Sequence, residues 1–351
     1  MNGSGFSAAR KYAYSNARIK AMESKLVGKE FMSQISAVKE KGAILSLLMQ
    51  TDYRDDLEEY GGVNIKGEMI DFALSRNLAK RISVLPRIAP VGMGGLVSAV
   101  VGAWGVNNIK LAIYAKAEGK RFDDISQYIV DIGLHGPSNI RQVMSEPTVE
   151  SMLERMMVSS PYRAVIADAL AEYVKEKSPS AASYALERGY NALVGKAVRR
   201  IALEDPGSAR IIKADIDMKN VLMLIRSKRR SLRNDLVGEL LMDGGTAGKR
   251  ALAEAYSVSA DVESLLGNVK LFGLEAAAAK YRETGQILSV EMYMRAAIFN
   301  MSMRLLRHSV LSFGTLVAYA YIKEIEVFSL RAIVKGKEYG LDGLLDILAG
   351  A

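Results

Sequence analysis

An eleven-residue pattern recurs three times in this chain, and the intervals between its copies constrain the fold more than any other feature. Val106 to Lys116 (VNNIKLAIYAK), Met218 to Lys228 (MKNVLMLIRSK) and Val327 to Lys337 (VFSLRAIVKGK) can be laid over one another. Asn108 then falls on Asn220 and Ser329, Ile109 on Val221 and Leu330, Ile113 on Ile225 and Val334, and Lys116 on Lys228 and Lys337. In the first copy Val106, Ile109 and Ile113 stand at i, i+3 and i+7, one face of a 3.6-residue helix, with Lys110 and Lys116 off that face. Any amphipathic helix resembles another, so the spacing carries the inference. Asn108 to Asn220 is 112 residues and Asn220 to Ser329 is 109, which divides a chain of 351 into near thirds. The expected units are 1–119, 120–230 and 231–351, each far longer than a solenoid repeat of roughly 20–50 residues.

Half of the residues are hydrophobic and a quarter charged, which excludes a disordered or collagen-like chain. With no cysteine there is no disulfide, thiolate metal site or cysteine nucleophile. An excess of 47 basic over 39 acidic residues favours acidic partners or anionic lipid. Met1 to Ser7 is short, polar and glycine-rich, unlike a secretory signal.

The uncharged run between Arg87 and Lys110 has the length of a membrane span. Shifted by 112 residues, it becomes RIALEDPGSARIIKADIDMKNV, with eight charged residues, and a unit that crosses lipid in one copy cannot do so in the next. Pro90 and the glycines at 92, 94, 95, 102 and 105 read as a turn and close helix packing.

The rest of the chain reads as helix, with no sustained strand alternation. Expected helices cover Ser7–Val27, Phe31–Lys39, Ala43–Met49, Tyr53–Tyr60 and Lys66–Leu85. Phe122, Ile125, Ile129 and Ile132 mark a helical face ending at Gly133, Pro147 opens a helix to Met157, and Pro161 another to Lys175. A helix follows Pro179, and Asp205-Pro206-Gly207 reads as a turn before the second copy of the pattern. The third unit continues through NDLVGELLMDGG, Lys249–Tyr256, Val262–Leu266 and GLEAAAAKYRE to a long helix from Val290 to about Phe313, and leucines of YGLDGLLDILAGA close the chain.

Catalytic signatures are poor. His135 and His308 fall in different units with no triad or zinc motif, and His308, beside Leu305 and Leu306, reads as a core or interface histidine. The Gly-Lys pairs at 28, 195, 248 and 336 lack the spacing of a phosphate-binding loop. Met292, Met294, Met301 and Met303 read as adaptable core. No cofactor or metal site is expected.

YAYSNARIKAMESKLV, with Tyr12, Tyr14, Asn16, Ala17, Arg18, Met22 and Glu23, resembles the start of the C subunit of archaeal and bacterial A/V-type ATP synthases, called the d subunit in the eukaryotic vacuolar enzyme. KEIEVFSLRAIVKGKEYGL, with Glu324, Glu326, Leu330, Arg331 and Gly336, resembles that family's C-terminal end. The third copy departs from the family pattern with Ser329, and the second has Leu222 where Lys110 and Arg331 stand. The resemblance implies an all-α fold, three similar units about a pseudo-threefold axis forming a funnel-shaped collar. It implies a non-catalytic rotor part, one copy per complex, peripheral on the cytoplasmic side of the membrane. Its partners would be the axle of D and F subunits and the membrane proteolipid ring, passing torque between ATP turnover and proton or sodium movement.

Arg226, Lys228, Arg229, Arg230 and Arg233 form the densest basic cluster, a candidate for an acidic partner or anionic headgroups; the alternative is a solvated helix face. Arg331, like Arg18, matches a family motif, and an ion pair with Glu326 or Glu23 would explain these arginines equally well. A basic helical nucleic-acid-binding or adaptor protein is the competing class, although the chain lacks a recognised nucleic-acid motif.

Overall fold

The computed structural model describes residues 3–38, 40–61, 67–132, 135–158, 160–271, 274–309 and 311–339, and no strand occurs among them. After α1 (Gly3–Glu23), the short helices α2 (Lys29–Ala37), α3 (Lys41–Leu48) and α4 (Arg54–Glu59) lead to α5 (Gly67–Ile82), α6 (Leu85–Ile88), α7 (Gly94–Val101) and α8 (Ala103–Ala117). Next come α9 (Phe122–Ile125), the short α10 (Pro137–Met144) and α11 (Val149–Met157), α12 (Arg163–Glu176), and the long α13 (Pro179–Glu204) and α14 (Pro206–Arg229). Last are α15 (Asn234–Leu240), α16 (Lys249–Val258), α17 (Val262–Asn268), α18 (Leu274–Thr284), and the long α19 (Ile287–His308) and α20 (Gly314–Tyr339). The closing segment from Gly340, with its leucines, Gly62 and Gly133 lie outside the described residues, as does the side chain of Lys337.

Local chemistry sets the helix starts. Thr148 and Asp261 each form a capping box with the serine three residues on, Ser151 and Ser264. Pro147 therefore precedes the cap of α11 instead of occupying its first turn. Asp205-Pro206-Gly207 is likewise a helix start: the Asp205 carboxylate accepts from Ser208 N–H at 2.8 Å and Pro206 occupies the first turn of α14. The second copy of the pattern thus forms the C-terminal half of a 24-residue helix.

One expectation fails for a physical reason. The helix expected through Phe122, Ile125, Ile129 and Ile132 is one turn of α-helix and a 3-10 turn (Ser126–Tyr128), after which the backbone is extended at Ile129. All four side chains are still buried, but Asn108 takes both the N–H and the C=O of Val130, which a helix would need for its own ladder. The uncharged segment from 88 to 109 is broken into α6, a turn, α7 and α8. No single helix among the described residues is long and apolar enough to cross a membrane; α7 and α8 pass by length and composition only as a pair bent by 50°.

The bend falls at Gly102, where an added Cβ would collide with the Tyr162 hydroxyl and lie 2.7 Å from Ser98 O. Gly102→Ala should lower the unfolding free energy by about 1–3 kcal/mol through overpacking. Tyr162→Phe in the same chain should restore part of it, read by urea denaturation; no restoration would place the strain elsewhere.

One large core runs from α1 through α6–α19 into the first half of α20. A second joins α2–α5 to the last half of α20, where Tyr53, Leu57 and Leu74 meet Val327, Leu330 and Ile333. Met292 and Met294 are buried, and Met301 and Met303 pack partly buried against the core. Helix α8 packs on α13, α14 on α19, and α20 on α5. The third of these contacts brings the last described helix back to the first third of the chain.

Candidate functional site

The repeated positions make repeated bonds. Asn108 donates to Val130 O at 2.7 Å and accepts from Val130 N–H at 3.0 Å, 22 residues ahead. Asn220 does the same with Met242, donating at 3.0 Å and accepting at 2.8 Å, again 22 residues ahead. Lys116 donates to Met144 O at 3.0 Å and Lys228 to Tyr256 O at 2.8 Å, each 28 residues ahead. These ammonium groups meet carbonyls at the ends of α10 and α16, where a helix leaves acceptors unpaired and a positive charge is favoured. Lys116 and Lys228 are thus helix-end clamps.

The third copy sits at the end of the chain and takes its partners from the N-terminal segment. Ser329 is buried, but the residue 22 beyond it is Ala351, outside the described residues. Glu326 holds the incoming backbone instead, accepting from Val27 N–H at 2.6 Å. Its counterpart 109 residues earlier, Asp217, accepts from Thr246 and Ala247 N–H at 2.9 and 3.2 Å. Burial pushes the Asp217 carboxyl up from its ordinary value, and the two amides and Lys213 oppose that shift. Glu326 also accepts from Tyr53 OH at 2.6 Å and pairs at 2.7 Å with Lys323, whose side chain is 1% exposed. Burial, with the Glu326 charge second, holds the Tyr53 phenol well above its ordinary value.

The six candidate side chains separate into engaged and open groups. Lys228 is committed to Tyr256 and Ser259 carbonyls and lies 3.9 Å over the Tyr256 ring. Arg229 donates to Gly285 O at 2.5 Å, and Arg233 forms a forked pair with Asp235. Arg331 turns to α5, meeting Ser75 Oγ and, at 3.7 Å, Asp71, while Glu326 pairs with Lys323. Lys110 pairs with Glu187, which stands 112 residues after Ser75, so Lys110 and Arg331 reach matching places on α13 and α5. Arg18 is exposed, and Glu23 pairs with Lys20. Arg226 and Arg230 remain exposed with no side-chain partner among the described residues.

Arg226 lines a cavity of about 400 Å³ where α8, α13, α14, α15 and α19 meet. Its walls are densely charged, with Lys110 paired to Glu187 and Arg295 to Glu291. Below it Asp215 accepts from Lys219 at 2.7 Å and Tyr321 OH at 3.1 Å. Loss of water would pull Lys219 down, but Asp215 and Glu324 outweigh it and leave the ammonium above its ordinary value. Loss of water pushes Glu324 up, and Asp215 adds repulsion against the pull of Arg295. This is a rigid ionic junction between helices, with no nucleophile beside a base. His135 is buried on Ser160 and Tyr162 at 2.9 Å and 5.7 Å, with its ring pKa lowered by burial. His308 is exposed at the end of α19, which overturns the core alternative of its core-or-interface reading.

Sequence reasoning missed Glu187, Ser75, Asp217 and Tyr53. Applying the 112- and 109-residue shifts to the partners of the pattern, as well as to the pattern, pairs Glu187 with Ser75 and Asp217 with Glu326.

A family model described as ATP synthase (C/AC39) subunit matches residues 15–343. The chain is similar to the C subunit of the A-type ATP synthase of Thermoplasma volcanium, 22% identical over 339 residues that cover 94% of this chain and 95% of the relative. It is 28% identical over 333 residues to the corresponding protein of Pyrococcus abyssi, covering 94% and 87%. Against that of Thermoplasma acidophilum the identity is 23% over 341 residues, covering 94% and 95%.

Proposed function

The chain belongs to the ATP synthase (C/AC39) subunit family, a structural and not a catalytic part of the enzyme, and from that premise we propose that it is the rotor collar joining the D and F axle to the membrane proteolipid ring. Three units, 1–119, 120–230 and 231–351, surround a pseudo-threefold axis as a funnel, on the cytoplasmic side and in one copy. Torque passes through it between ATP turnover in the head and proton or sodium movement in the ring.

The observation that carries this reading is the closed succession of helix pairs, α8 on α13, α14 on α19 and α20 on α5. Equivalent contacts that return to their start make a ring from one chain, and a ring tied across its seam by the Val27 and Tyr53 hydrogen bonds to Glu326 transmits load without unwinding. Mixing the chain with D and F subunits and with the isolated proteolipid ring should give a one-to-one complex by native mass measurement. Binding to neither, together with tight and steeply salt-dependent binding to DNA or RNA, would replace the rotor reading by a nucleic-acid one.

Arg226 and Arg230 are the members of the basic cluster free to meet an acidic partner. Reversing both, as Arg226→Glu and Arg230→Glu, should weaken assembly by about tenfold, roughly 1.4 kcal/mol, and lower ATP-driven ion transport while hydrolysis by the head persists. Unchanged assembly and transport would reject a partner role for these residues.

A further inference from the structure

A second cavity, about 700 Å³, lies along the contact of α14 and α19. It lies within the roughly 300–1,000 Å³ range of ligand sites. Its α14 wall is one helical face from Gly207 to Asp217, and its α19 wall one face from Met294 to His308. An added Cβ on Gly207 would lie 2.8 Å from Leu305, so the start of α14 sits beside the end of α19 and the helices run antiparallel. At 1.5 Å per residue the shared groove is about 15 Å long. Small side chains at Ala214 and Ala297 keep it open where larger ones would interlock.

The two ends differ chemically. The interior is apolar, with Ile211, Ile298 and Met294 among its walls. Its single carboxylate, Asp217, is already occupied by the Thr246 and Ala247 amides. The mouth carries Arg210, Arg304 and His308, all exposed and without a side-chain partner among the described residues. The register set by Gly207 and Leu305 places Arg304 opposite residue 208, about 3 Å along the axis from Arg210.

We propose that this groove binds one anionic amphiphile, its apolar tail laid between α14 and α19 and its carboxylate or phosphate head held by Arg210 and Arg304. An apolar trench excludes a free anion, and two unpaired guanidinium groups at its mouth select against a neutral lipid. The length suits a single tail of about 14 carbons. The assignment does not depend on the rotor role.

Titration calorimetry on the full chain decides it, with myristate and tetradecyl phosphate as probes below their micelle-forming concentrations, and tetradecanol and butyrate as controls. One saturable site for a long anion is expected, with myristate or tetradecyl phosphate the tighter according to the head it takes, and both controls at least about tenfold weaker. Arg210→Glu with Arg304→Glu should weaken the long anions by at least about tenfold, and Ala297→Trp should remove binding by filling the trench. The charge variant changes only exposed side chains, so it remains decisive if the tryptophan variant fails to fold. No binding, tetradecanol bound as tightly as myristate, or myristate affinity unchanged in the charge variant would overturn the proposal.

Discussion

Glu326→Ala is expected to lower the unfolding free energy by about 3–5 kcal/mol, the range for breaking a buried ion pair by removing one partner. The cause is the ammonium it leaves behind: Lys323 is 1% exposed, and its two polar contacts are Glu326 at 2.7 Å and Tyr53 OH at 2.9 Å. The same substitution releases Val27 N–H and the Tyr53 hydroxyl, two of the points where the N-terminal segment is tied to α20. Lys323→Met in the same chain removes the stranded charge and should recover a large share of the loss, because replacing both members of a buried pair is far less costly than removing one. Urea unfolding of the two single variants and the double variant measures this. Additive losses would show that Lys323 and Glu326 do not depend on each other.

Asn220→Ala should cost about 2–4 kcal/mol, since it leaves the buried N–H and C=O of Met242 without partners. No water-accessible substitute is at hand, because Asn220 and Met242 are 1% and 8% exposed. Asn220→Asp keeps the acceptor for Met242 N–H but sets a carboxylate against Met242 O, so it should not rescue stability. Hydrogen exchange supplies a local readout: the Met242 amide should lose protection ahead of the α14 core in the alanine variant. Full retention of that protection would show that the loop from 241 to 248 is held by other contacts, Asp217 first among them.

The helical class, the period and the asparagine and lysine positions were legible in the chain because each lies on one helix and follows a 3.6-residue rhythm. The bonds they make were not. Asn108 and Lys116 reach 22 and 28 residues ahead, to backbone atoms that carry no side-chain signature. The extended backbone at Ile129 was hidden for the same reason: the isoleucines have helical spacing, but the distant Asn108 side chain claims the hydrogen bonds of the next residue, Val130. Asp205-Pro206-Gly207 has the composition of a turn and the geometry of a capped helix start, a difference made by where the Asp205 carboxylate points. The basic cluster looked uniform because counting charges along a chain cannot see Tyr256, Gly285 or Asp235, which occupy three of its members. Hardest to read was the seam. Tyr53 and Glu326 are 273 residues apart, and a linear repeat gives no indication that its last copy is completed by its first.

A collar that carries torque makes one demand that a passive adhesive subunit does not, namely that hydrolysis and ion transport separate when it is removed. The most direct test is a vesicle assay on the reconstituted enzyme with and without this chain, following ATP hydrolysis and ion uptake in the same sample. With the chain present, uptake should track hydrolysis; without it, the head should continue to hydrolyse ATP while uptake falls to the leak rate. Uptake that still tracks hydrolysis in the chain's absence would contradict its proposed role as the link between axle and ring.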